Sequence, residues 1–188
     1  MSALLAEFFR HNAWANQHLL DVCAGRTEQQ LDATVPGTYG SIRDTLGHLL
    51  GAEKRYLAAL SGVEIERSSG ALPGFPAFDR LRDQARRTGH GLIDVARRTR
   101  PNRIVRGVRG GEPFAIPAAV FLMQAIDHAT EHRTHIRTIL TTLGIEPPDL
   151  DAWTFMEQIP AAAPSSPGAT PGAADSGAPH TNSAATTR

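Results

Sequence analysis

His128 and His132 stand four residues apart in an apolar stretch. In a helix that spacing puts two imidazoles one turn apart on the same face. Imidazoles so placed can share one divalent cation, and buried imidazoles need partners because an unpaired polar group in a core is costly. His135 lies on the same side one turn further on and reads as pocket lining. The five residues from His128 to His132 also spell His-Ala-Thr-Glu-His, the inverted zinc-peptidase pattern with Glu131 as general base. That chemistry needs a third protein ligand downstream, usually a glutamate. The two downstream glutamates, Glu146 and Glu157, stand near a loop and the start of the tail. On the helical wheel Glu131 also diverges from the two histidines, so the peptidase reading is set aside.

The elements that must position these residues follow from periodicity. A helix near 117–143 carries the pair. Pro117 suits its first turn, and Gly144 with Pro147 and Pro148 ends it. Its apolar positions are Phe121, Leu122, Ala125, Ala129, Ile136, Ile139, Leu140 and Leu143, and Arg133 and Arg137 read as its solvated face. A helix near 41–61 opens on a capping box of Ser41 and Asp44, with Ile42, Leu46, Leu49, Glu53, Tyr56 and Leu60 along its stripe. His48 lies roughly 120° away from that stripe. It becomes a ligand only if a neighbouring helix packs on that side. A first helix near 2–24 ends at Gly25. A third, near 76–99, contains Gly89 and Gly91, each costing about 1 kcal/mol relative to Ala, which predicts a kink. Between Arg103 and Ile116 the pattern reads as a short irregular hairpin around Gly110 and Gly111. Residues 149–158 read as a brief turn that packs Trp153 and Phe155 back on the bundle. The fold class expected is all-α, a four-helix bundle.

Three segments, HNAWANQHLLD (11–21), GSIRDTLGHLL (40–50) and DHATEHRTHI (127–136), together resemble the DinB-like (DinB/YfiT) family. The resemblance spans roughly residues 1–157 and rests on the three motifs in order, none being specific alone. It implies a four-helix bundle that holds one divalent metal ion with three histidines, one from the second helix and two from an HxxxH in the last. Carried over by position, the ligands are His48, His128 and His132; His48 owes its place to the resemblance. Trp14, Asn16 and Arg133 also match the family pattern. Two positions depart from it: Glu131 stands where a further histidine is common, and Thr134-His135 where Gly-Gln is common. Both lie around the expected metal and weaken inference about substrate. The resemblance further implies activity with a low-molecular-weight thiol such as mycothiol, bacillithiol or glutathione, held as thiolate for attack on an electrophile in detoxification or stress response. Three imidazoles alone imply only an open metal site, suited to Zn, Ni, Fe or Co. A metal-dependent hydrolase and a non-catalytic, homodimeric stress-response protein are the alternatives.

Composition sets outer bounds. At 188 residues the chain suits one domain, expected over 1–158. Nineteen basic and nineteen acidic residues give no net charge, which argues against general nucleic-acid binding. Cys23 is the only cysteine, so no intrachain disulfide forms, and a reducing, cytoplasmic setting is expected. No signal peptide or membrane-spanning run is evident. Residues 159–188 turn to Ala, Pro, Ser, Thr and Gly and read as a disordered tail, because they lack the apolar side chains needed to offset chain entropy.

Overall fold

The computed structural model describes residues 2–63 and 75–159. Its elements are α1 (Ser2–Ala24), α2 (Glu28–Leu31), α3 (Ile42–Ser61), α4 (Phe78–Arg98), β1 (Ile104–Arg109), β2 (Glu112–Pro117), α5 (Ala118–Thr142) and α6 (Ala152–Gln158). The four long helices are those expected, with ends within two residues of the sequence reading. Local chemistry explains the boundaries. At the start of α3 the Asp44 amide donates to Ser41 Oγ at 3.0 Å and the Ser41 amide donates back to Asp44 Oδ2 at 3.3 Å. Gly62 closes the same helix at φ 73°, a left-handed conformation that costs glycine little.

Two apolar clusters give the direction of each helix. One gathers Leu19, Leu20, Leu46, Leu49, Leu81, Ile136, Ile139 and Leu140; the other gathers Phe9, Leu60, Leu92, Val95, Val105, Ala118, Leu122 and Ala125. Following each helix from one cluster to the other, α3 and α4 run one way and α1 and α5 the opposite way. The antiparallel neighbours are therefore α1 with α4 and α3 with α5. A layer of buried polar side chains, Asn12, Asn16, Glu53, His132 and Arg133, runs across α1, α3 and α5.

Four details differ from the sequence reading. The hairpin is regular: six pairs run without interruption from Ile104 opposite Pro117 to Arg109 opposite Glu112. Gly110 and Gly111, at φ 63° and 90°, supply the two positive dihedrals that a two-residue turn needs. Secondly, the glycines of α4, a helix assigned without a break from Phe78 to Arg98, have a packing role. A Cβ on Gly89 would meet the Ala13 Cβ at 2.7 Å, and one on Gly91 would meet Leu57 at 2.6 Å. Thirdly, Trp153 stays 72 % exposed while Phe155 packs on Trp14 with ring centroids 5.4 Å apart. The two residues are roughly 200° apart on a helix, so α6 turns only one of them inward. Fourthly, Leu143 is exposed, because α5 reaches its C-cap there, past the end of the core. The expected tail lies, apart from Ile159, outside the described residues. Among the described residues no helix is long and apolar enough to cross a membrane.

Candidate metal site

The packing of α3 against α5 decides the question that the wheel leaves open for His48. The neighbouring helix does pack on its side, and His48, His128 and His132 come together as a group. His48 Nε2 lies 3.0 Å from His128 Nε2, and His132 Nε2 lies 3.1 Å from the same atom. The three ligand nitrogens lie within 4.8 Å of one another. A tetrahedral ion at about 2.0–2.1 Å from each would hold them about 3.3 Å apart, close to the two separations about His128. The donor set fits as well, since no carboxylate or thiolate belongs to the group.

Burial puts the imidazoles in the form a cation needs. His132 is 4 % exposed, and burial, then the neighbouring His128 and His48, lower its pKa from the ordinary 6.5 to about 4. His48 is shifted down by burial and by the positive charge of Arg55. His128 is shifted down by burial, by His48 and by Arg55. All three are then neutral at pH 7, with a lone pair to offer.

The ring of His48 is oriented from outside the helices. Tyr39, in the loop before α3, places its hydroxyl 2.8 Å from His48 Nδ1 and stacks on the ring at 4.2 Å. A cation on Nε2 would leave the ring proton on Nδ1, placed to donate to the phenol oxygen, a contact that would hold tautomer and ring plane together. The same ring meets His132 edge-on at 5.0 Å, so Tyr39 covers one side of the site. Tyr56 meets His128 edge-on at 5.9 Å from the other end.

His135 is half-buried and meets His132 edge-on at 5.5 Å, but it does not join the group of three. Asp44 serves the α3 cap. Glu131 is exposed, and its charge acts on His132 only as a minor upward influence on pKa. Cys23 is fully buried and burial pushes its pKa up to about 12, so it remains a thiol at neutral pH. His11 and His18 hydrogen-bond to the backbone carbonyls of Leu150 and Trp14. A groove of about 1140 Å³ lined by Leu5, Phe8, Val120, Leu122 and Met123 contains none of the three clustered histidines.

Arg133 is the largest departure from the sequence reading. It is 4 % exposed, not solvated. Its Nη1 donates to Asn12 Oδ1 at 2.6 Å and to Asn16 Oδ1 at 2.8 Å, and its Nη2 donates to the Thr130 hydroxyl at 3.2 Å. Both asparagines in turn donate from Nδ2 to Glu53 Oε1, at 2.6 and 2.9 Å. A helical wheel sends arginines outward; here α1 and α3 supply polar partners that make burial tolerable. Burial lowers the Arg133 pKa to about 10 and raises that of Glu53, with each opposite charge opposing the change in the other. The available signal was Glu53 itself, a carboxylate on an otherwise apolar stripe.

The DinB family model matches residues 1–163. The chain belongs to the DinB family. A solved structure of a DinB-like protein from Bacillus cereus is similar in fold, with a TM-score of 0.56 and 17 % identity, over 77 % of this chain and 94 % of that one. At that identity the likeness speaks for the fold of this DinB-family chain alone. No curated protein matches the sequence.

Proposed function

We propose that this DinB-family protein binds one divalent metal ion through His48, His128 and His132 and uses it in a transferase reaction with a low-molecular-weight thiol. The observation that carries the metal assignment is the grouping of three imidazole nitrogens within 4.8 Å of one another, with His48 Nε2 3.0 Å from His128 Nε2 across α3 and α5 and His132 Nε2 3.1 Å from it along α5. When bound, such an ion supplies a Lewis acid that favours the anionic form of a thiol or water molecule at its open position. The chain's own residues supply the rest. His48 is held in the ligating tautomer by Tyr39, and burial keeps His132 unprotonated well below neutral pH. Arg55, whose charge depresses both His48 and His128, also favours an anionic ligand beside them. Cys23 takes no part, because it is buried as a thiol. The thiol therefore comes from a small molecule. All-nitrogen ligation suits Zn, Ni, Fe or Co.

The test is a panel of thiols, glutathione, mycothiol and bacillithiol among them, offered with an electrophile to the metal-loaded protein. Thiol-dependent consumption that chelator abolishes, added ion restores and Cys23→Ser leaves intact is the expected result. Turnover that needs Cys23 and ignores chelator would contradict it. Chelator-sensitive ester or amide cleavage without thiol would favour the hydrolase. Full metal loading with no turnover of any kind would favour a non-catalytic protein.

A further inference from the structure

The two helices that bring the ligands together do not orient them equally. His48 has Tyr39, but among the described residues Nδ1 of His128 and Nδ1 of His132 are buried with no hydrogen-bond partner. The aim of those two imidazoles therefore follows from α5 itself, from its rotation about its axis and its distance from α3. Beside the pair α5 presents Ala125 and Ala129, small side chains whose burial is favourable but carries no direction.

Direction comes from the polar layer. Arg133 is the neighbour of His132, so the two side chains leave α5 roughly 100° apart. His132 faces α3 while Arg133 faces α1, where Asn12 and Asn16 stand one turn apart. Each of those amides uses both ends: its oxygen accepts from Arg133 and its nitrogen donates to Glu53 on α3, five residues after His48. No direct ion pair joins Arg133 and Glu53. The two metal-bearing helices are instead tied through a third helix that bears no ligand. We propose that Asn12, Asn16, Glu53 and Arg133 are positioning residues of the metal site: they lock the rotation of α5 against α3 so that His128 and His132 meet His48. The proposal rests on the metal reading above. Buried polar groups are best attested in this setting role, and their net contribution to stability is often nil or unfavourable.

That difference supplies the test. The full-length protein is loaded with cobalt(II), and its affinity is measured by chelator competition alongside its visible absorption. The chelated form is unfolded in urea. In the variant Asn12→Leu, Asn16→Leu, Glu53→Met, Arg133→Leu, the chelated form should unfold at the wild-type urea concentration or above it. Its cobalt dissociation constant should nevertheless rise at least about tenfold, with altered absorption. Arg133→Lys, which keeps the charge but loses the fork that spans two amide oxygens, covers the case in which the fourfold variant does not fold. It too should bind cobalt about tenfold more weakly. A folded variant of either kind with wild-type affinity and absorption would overturn the proposal. Wild-type protein that takes up no cobalt would instead remove the metal reading itself, and the lock with it.

Discussion

His132 meets two demands with one property: burial that disfavours its charged form also leaves its lone pair free for a cation. That burial sets a pH dependence. With a folded pKa near 4 against an ordinary 6.5, the unfolded chain takes up this proton before the native state does. The group's contribution to stability is complete above about pH 6.5 and is lost as pH falls towards 4. The melting temperature of the chelated protein should fall across that window, and less steeply in His132→Gln; identical slopes would contradict the account. Tyr39→Phe removes the hydroxyl that lies 2.8 Å from His48 Nδ1. Metal affinity should drop about tenfold with little change in the melting temperature of the chelated protein; unchanged affinity in a chelator titration would mean the contact is incidental. His128 and His132 were legible in the sequence because four-residue spacing is a local fact. His48 was not legible from its own helix, since its role depends on which neighbour packs there. Tyr39 sits in a loop with no period to read. Arg133 was misread because a wheel knows the charge of a side chain but not the polar partners on other helices.

The long helices were legible because their stripes and stops agree: Ser41 and Asp44 open α3, and Gly144 follows α5 at φ 71°. Glycines inside α4 carried a second meaning that periodicity does not show. In an exposed helix Gly→Ala stabilises by about 1 kcal/mol. At Gly89 the added methyl group would meet the Ala13 Cβ, which has no rotamer to escape into. Gly89→Ala should therefore destabilise by about 1–3 kcal/mol in urea unfolding, and a gain in stability would show that α1 and α4 can move apart cheaply. Leu140 on α5 is fully buried in the cluster with Leu19, Leu46 and Ile136. Leu140→Ala should cost about 2–5 kcal/mol; a loss below 1 kcal/mol in the same measurement would mean that this end of the bundle is loosely packed.

At the scale of the molecule, two apolar clusters hold the bundle together, and a layer of buried polar side chains carries the site. The helix directions could not be read from the sequence. Four amphipathic segments fit several bundle topologies, and the choice is made by contacts distant in sequence. The residues beyond 160 carry almost no large apolar side chains, so a chain ending at 159 should keep its ion content and melting temperature. Loss of either on truncation would show that the tail contributes to the fold. Everything proposed about chemistry depends on one claim, that His48, His128 and His132 hold a single divalent ion. The direct measurement is metal content by mass spectrometry on purified protein and on the double variant His128→Ala, His132→Ala, with circular dichroism to confirm that both are folded. The account predicts about one ion per chain in the wild type and almost none in the variant. Full occupancy retained by the folded double variant would contradict it.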